Sequence, residues 1–404
     1  MSAIQSSARR ALVCSVVSIL GYAVSAAAVA QQPTIARAGT VTIATFPVAS
    51  HAATDPIDYV NAKPMPLPIA TNFSESLVLA DMIGMLATPA ATPTSKPVFV
   101  GGSVGDGQTR PVFLGKPAPN SMGDEYTSQE AGTTNHAFST ARADGFTGST
   151  NKIYPYRASG KVFFNKPGET GSFICSASLI KKGVVVTAAH CVSEFGKNKF
   201  WTNWRFVPGY KSGSAPYGNW SAKSTLVLTA YLNGSDPCST STAPNGVICR
   251  DDVAVVVLNP QGGSLPGTNT GWYGFAYDNA GFTPSGRVHL TQIGYPGCLD
   301  NGEIMERNDS EGFKSSSHAN NTLLGSLMCG GSSGGPWLIN FGKRPALTGT
   351  TSGSSAQINT VVGVTSWGST SSGPKQQGAS PFLNTNIQSM VNAACSANAA
   401  HCAN

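Results

Sequence analysis

From about Tyr154 onward, short apolar runs alternate with turn-forming residues. "GKVFF", "GVVVTAA", "STLVLTAYL", "VAVVVL", "VHLTQIGY", "PWLI" and "VVGVTSWG" recur between breaks rich in Gly, Pro, Asn and Ser. Many short strands at such spacing predict an all-β sandwich or barrel. In "NTNIQSMVNAAC", Ile387, Met390, Val391 and Ala394 fall at helical spacing, which predicts one terminal helix. No internal repeat is visible.

Residues 31 to about 150 have a different texture. They contain no cysteine and are rich in Ala, Thr and Pro, as in "NAKPMPLPIA" and "ATPAATPTSKP". Within them "FSESLVLADMIGMLA" fits one short amphipathic helix with Ser74 as a possible cap. The region is expected to be a propeptide or a loosely folded extension; a disordered linker is the alternative. Its removal is expected to leave a domain over residues 151–404.

The first 30 residues have the form of a signal peptide. "SSARR" supplies the positive start, an apolar stretch follows, and Ala28-Val29-Ala30 is an A-x-A site before Gln31. An uncleaved membrane anchor is the competing use, since 20 residues could just span a bilayer. With the leader cleaved, the expected protein is secreted, with no stable membrane insertion.

The 404 residues suffice for one large or two ordinary domains, and only 11% are charged. Removing residues 1–30 takes Arg9 and Arg10, leaving 24 basic against 20 acidic side chains, so the formal charge falls from +6 to +4. No dense Lys/Arg run exists, which argues against a nucleic-acid partner. Nine cysteines become eight once Cys14 leaves, and an even count in an exported chain suggests disulfides. They fall in neighbouring couples, although eight cysteines allow about 105 pairings. No CxxC pair and no clustered histidines support a metal site.

The chemistry concentrates in "MCGGSSGGPWLI". A nucleophilic serine needs an exposed oxygen and backbone N–H groups aimed at the developing oxyanion, and glycines permit both. Gly331, Ser333 and Gly335 match G-x-S-x-G, which alone would admit an α/β-hydrolase. That fold needs a histidine after the serine, where only His401 stands, and alternating helices that the pattern denies. The order His, acid, Ser fits better. His190 ends the apolar run "GVVVTAAHCV", and a clamp between Cys175 and Cys191 would brace it. In "CRDDVAVVVL", Asp251 suits a solvated turn, while Asp252 leads straight into the apolar strand and is the better candidate for a buried acid.

Together "VVVTAAHCV", "DDVAVVVL", "GGSSGGPW" and "VTSWG" resemble, in order, the signature segments of chymotrypsin-like serine peptidases. "YPYRASGKVFF", "FVPGY" and "APYG" are similar to the bacterial secreted branch that includes glutamyl-endopeptidase-like enzymes. The resemblance covers about residues 150–392 and implies two packed six-stranded antiparallel β-barrels with the site between them. It implies His190 as general base and acid, Asp252 as its orienting partner and Ser333 as nucleophile. Gly331 and Ser333 would supply the oxyanion-hole N–H groups. Leu327, Gly330, Thr365, Ser366, Trp367 and Gly368 would contact substrate. The disulfides expected are Cys175–Cys191, Cys238–Cys249, Cys298–Cys329 and Cys395–Cys402.

Two departures matter. Many animal members carry Asp where Ser332 stands, and that Asp binds a new N-terminal ammonium on activation; no such switch is expected here. Leu327 replaces the Asp of trypsins, and Thr365 replaces the His of glutamyl-specific relatives, so the implied pocket is small or apolar. The expected activity is that of a secreted, monomeric serine endopeptidase acting on proteins or peptides without a cofactor. A catalytically silent binding relative and an esterase are the alternatives.

Overall fold

Every residue of "VAVVVL" is buried, because both faces of that strand are covered. Val253, Val255 and Val257 pack into one cluster with the barrel seam and the C-terminal helix. Ala254, Val256 and Leu258 pack into a second, inside the first barrel. The period of two survives, but it separates two apolar environments and not core from solvent.

The structure is a computed structural model describing residues 33–47, 57–68, 96–115, 138–145, 147–239, 248–315, 318–351, 353–368 and 375–403. The expected signal segment and the expected helix over 73–87 lie outside the described residues. Among the described residues no helix is long and apolar enough to cross a membrane.

Barrel 1 is built from β1 (Ser159–Asn165), β2 (Ser172–Lys181), β3 (Val184–Thr187), β4 (Thr202–Pro208), β5 (Trp220–Leu228) and β6 (Ala254–Leu258). They pair antiparallel in the order β5-β4-β1-β2-β3-β6, and β6 returns to β5 to close the ring. Barrel 2 is built from β7 (Arg287–Gly294), β8 (Glu306–Lys314), β9 (Thr322–Gly325), β10 (Pro336–Ile339), β11 (Thr360–Gly368) and β12 (Gln376–Pro381). Its order is β10-β7-β8-β9-β12-β11, closed by β10 on β11. The protein thus has two six-stranded antiparallel barrels. The terminal helix α1 (Ser389–Ala397) buries Met390, Val391 and Ala394, with Ile387 just before it, in the face its spacing predicted. All four expected disulfides are formed.

Some described segments of the N-terminal extension pair with strand edges of the two barrels. β4 pairs with β5 only at Trp220 and Ser221, which frees the edge of Ser224–Leu228. The strand Val41–Thr45, hairpinned to Thr34–Ala38, takes that edge. In barrel 2, β9 pairs with β8 only at Gly312–Lys314, and Phe138–Arg142 pairs with the freed Glu306–Ser310. Lys63–Pro64 pairs parallel with Phe173–Ile174 of β2. Open strand edges expose unpaired N–H and C=O groups, so each added strand satisfies backbone that would otherwise need water. Val41, Ala44 and Phe138 are buried with the barrels, so these strands are ordered on a core the barrels supply.

Glu306, opposite Arg142 at that junction, is wholly buried. Burial, with the nearby Asp300 carboxylate, pushes its pKa from 4.5 up to about 9. A raised folded pKa gives stability that is full below the unfolded value and is lost as pH rises toward the folded one. The chain should thus lose stability between the ordinary 4.5 and about 9 on this group's account. Glu306→Gln, neutral at every pH, should flatten the melting temperature over that interval and exceed the parent at its upper end. Parallel melting profiles would contradict this.

Candidate active site

Three segments meet at the cleft between the barrels. After β3 the chain makes one tight 3₁₀ turn, Ala189–Cys191, carrying His190. Cys191 is tied to Cys175 of β2. The indole N–H of Trp201 donates to the His190 carbonyl at 2.8 Å, and that of Trp204 to the Cys191 carbonyl at 3.1 Å. The turn's own carbonyls are therefore satisfied by buried side chains, and the imidazole is held from behind.

Asp252 grips His190 twice. Its Oδ1 accepts the His190 backbone N–H at 2.9 Å, and its Oδ2 lies 2.7 Å from Nδ1. Ser366 Oγ donates to the same Oδ2 at 2.6 Å. Burial pushes the Asp252 carboxyl up, but the His190 charge and these hydrogen bonds outweigh it and leave the group below the usual 3.8. Asp252 is thus held as a carboxylate, with the Nδ1 proton pointed at it. His190 Nε2 has no hydrogen-bond partner among the described residues.

Asp251 corrects the expectation of a solvated turn. It is 1% exposed, accepts Arg250 at 3.0 Å and Asn386 at 2.8 Å, and its N–H donates to Asp236 at 2.9 Å. Burial and the facing Asp251 push Asp236 up to about 8, so the facing pair holds a proton at neutral pH. Asp251 anchors the loop and its side chain bonds elsewhere than His190.

The two serines of "GGSSGG" part company. Ser332 Oγ donates to the Cys329 carbonyl at 2.7 Å and accepts Gln377 at 3.1 Å. Ser333 Oγ has no partner among the described residues. The turn that presents it is packed against the His190 segment. A Cβ on Gly334 would stand 2.0 Å from Thr187 Oγ1 and 2.8 Å from the Ala188 nitrogen, and its φ is +77°. Only glycine fits there. On the other side, Ser176 of β2 donates its Oγ to the Gly331 carbonyl at 2.9 Å, and its N–H to the Ser333 carbonyl at 2.7 Å. The preceding peptide is held by the Gly297 N–H, which donates to the Gly330 carbonyl at 2.8 Å, and its own N–H, that of Gly331, donates to the Met65 carbonyl in the groove at 3.1 Å.

The remaining expected residues divide. Gly330 and Gly368 line the groove. Leu327 is half-buried, its N–H on Thr140 Oγ1 at 3.2 Å, beside buried Met328. Thr365 turns inward, its Oγ1 accepting Gln292 at 2.8 Å and Trp337 at 2.9 Å. Trp367 is fully buried, bonded to Asn321 at 2.8 Å and stacked on His318. Sequence reasoning missed Gln292 and Gln377, which bond each other and, through Ser326 and Ser332, brace the loop before Ser333. It also missed Ser176, and the role of Ser366 beside Asp252. Two groups of potential metal ligands converge, one on His190 and one on Asp236. Each uses both sulfurs of a disulfide, so neither offers thiolates.

Residues 146–393, more than half of the chain, match the family described as Trypsin. The chain belongs to the trypsin family. Among solved structures, protease Anisep from Arthrobacter nicotinovorans is 28% identical, covering 59% of this chain and 96% of its own, with a TM-score of 0.46. The thermostable serine protease AL20 from an extremophilic microorganism is 24% identical, covering 60% and 98%, at 0.46. A Glu endopeptidase in complex with MPD is 18% identical, covering 64% and 96%, at 0.43. An extracellular metalloprotease of Bacillus subtilis (strain 168) is 26% identical over 133 residues, 33% of this chain. The match spans 37% of that curated relative's length. This trypsin-family chain departs from the animal pattern at Ser332, whose hydroxyl belongs to the loop's internal bonding.

Ser366 supplies a hydrogen bond to a buried carboxylate, a class worth about 1.5–3 kcal/mol. Ser366→Ala should destabilise the fold by about that amount in denaturant titration. A loss below about 0.5 kcal/mol, the scale of neutral surface changes, would contradict the assignment.

Proposed function

We propose that this trypsin-family protein is a secreted serine endopeptidase that cleaves peptide bonds through an acyl-enzyme. One observation carries the reading. Asp252 holds His190 by both its backbone N–H and Nδ1, while Nε2 and, in the same cleft, Ser333 Oγ make no hydrogen bond to each other or to any other described residue. Buried polar atoms without partners cost stability and call for an explanation, which the roles of base and nucleophile supply.

In the proposed cycle, Ser333 Oγ attacks the substrate carbonyl carbon while His190 Nε2 takes its proton. Asp252 keeps the imidazole in the right tautomer and stabilises the imidazolium. The carbonyl oxygen, now an anion, receives the N–H groups of Gly331 and Ser333. His190 returns the proton to the leaving amine, which departs and leaves the acyl group on Ser333. Water then attacks with His190 again as base, and the acid product leaves with Ser333 restored. The four disulfides support an oxidising compartment. Leu327 and buried Met328 support an apolar side chain before the cleaved bond.

The test compares neighbouring serines. Ser333→Ala should lower peptide hydrolysis by about 10⁴ to 10⁶. Ser332→Ala, which removes only loop bracing, should stay within about tenfold of the parent. The reading fails if a folded Ser333→Ala chain keeps its activity, or if only the Ser332 variant loses it.

A further inference from the structure

The sequence "KPMPLP", residues 63–68, lies where a peptide substrate should lie. It enters along β2, where Lys63–Pro64 pairs with Phe173–Ile174 and the Met65 N–H donates to the Ile174 carbonyl at 2.9 Å. It crosses to barrel 2, where the Pro68 carbonyl accepts the Gly368 N–H at 3.1 Å. Between those anchors the Met65 carbonyl takes the Gly331 N–H. The fit is close at three points, while Lys63, Pro64 and Pro66 keep exposed surface. A Cβ on Gly297 would stand 2.2 Å from Pro64 Cγ, one on Gly330 2.9 Å from the Met65 oxygen, and one on Gly368 2.8 Å from Leu67 Cδ1. Leu67 is buried, Ser333 is 0% exposed and His190 6%. A carbonyl carbon must come within about 3–3.5 Å of the nucleophile to react. In this arrangement a second peptide has no path to Ser333.

The direction of the segment explains why it would not be consumed. The nitrogen that leaves must reach His190, which sits on the barrel 1 side, with Cys191 tied to Cys175 beside Ile174. A substrate's C-terminal part therefore lies toward β2, and its N-terminal part toward Ser366–Gly368 on β11. Lys63–Pro68 runs the opposite way, from β2 to Gly368. The carbonyl it places at Gly331 has its amide nitrogen, Pro66 N, directed away from His190. That nitrogen is tertiary and carries no N–H. Prolines at 64, 66 and 68 also fix φ, so the strand loses little freedom on docking.

The geometry points to Lys63–Pro68 as an inhibitor carried by the chain itself, docked in the peptide groove with reversed polarity and occupying the oxyanion N–H of Gly331. This rests on the reading of Ser333 as nucleophile. It names the surface and the contacts by which the N-terminal extension covers the site. Release requires only that the segment leave the groove, with no new N-terminus inserted near Ser332.

Two readouts on the full chain test it. The first is the labelling rate of Ser333 by a small fluorophosphonate, in the parent chain and in the combined Leu67→Asp, Pro68→Asp variant at the two buried positions of the segment, with melting temperatures compared as a folding control. Charge at those two contacts should expel the segment and raise the labelling rate by about tenfold or more, the factor by which occupancy withholds the competent state. The second needs no substitution: the Gly331 and Gly368 amides should be protected from hydrogen exchange in the parent chain and lose that protection in the variant. Free exchange of both amides in the parent chain, or equal labelling of parent and folded variant, overturns the inhibitor. If the amides are released as expected and Ser333 takes label in neither chain, the serine reading itself has failed and the inhibitory role goes with it.

Discussion

A single buried charge organises this site. Asp252 is 1% exposed, and an isolated carboxylate there would be strongly disfavoured. It persists because donors reach it from both barrels: the His190 backbone and ring from the turn after β3, and Ser366 from β11. Its own N–H is taken by Ser380 of β12 at 3.1 Å. The barrels cannot separate without stranding that charge, and breaking a buried pair costs far more than the pair nets in stability. The same bonds orient His190, so the constraint that holds the seam together also sets the direction of the imidazole.

Around that charge, close packing does the rest. Gly334 can stand against Thr187 and Ala188 only because it has no side chain, which brings the Ser333 turn to the His190 segment. Ser176 holds the Gly331 carbonyl from one side, and the Gly297 N–H holds the Gly330 carbonyl, in the peptide whose N–H faces the groove. Gln292 and Gln377 tie the loop before the serine to the barrel 2 strands. These polar groups are buried and bonded, and a network of that kind specifies one geometry where an apolar core would tolerate several. The Cys298–Cys329 bond closes the loop from outside.

Much of this was legible in the chain. His190, Asp252 and Ser333 stand in segments whose order and flanking apolar runs are distinctive, and the cysteine couples match the bonds formed. The polar supports were not legible. Gln292 and Ser176 look like outward positions of strands, but a closed barrel packed on another barrel buries both faces, so alternation no longer tells inside from outside. Asp251 failed for a related reason: the turn it occupies is covered by Asn386 from the C-terminal segment, a contact remote in sequence. Composition reports whether a segment can build its own core, and Val41–Thr45 and Phe138–Arg142 instead use the edges of β5 and β8 and the core behind them.

In the proposed cycle Ser333, activated by His190, is the reacting group. The direct test is mass-spectrometric location of the adduct after prolonged fluorophosphonate treatment of the full chain and of its His190→Ala variant. The account predicts one adduct, on Ser333, in the parent chain and none in the variant. An adduct on Ser332 or another residue, or equal labelling without His190, would contradict it.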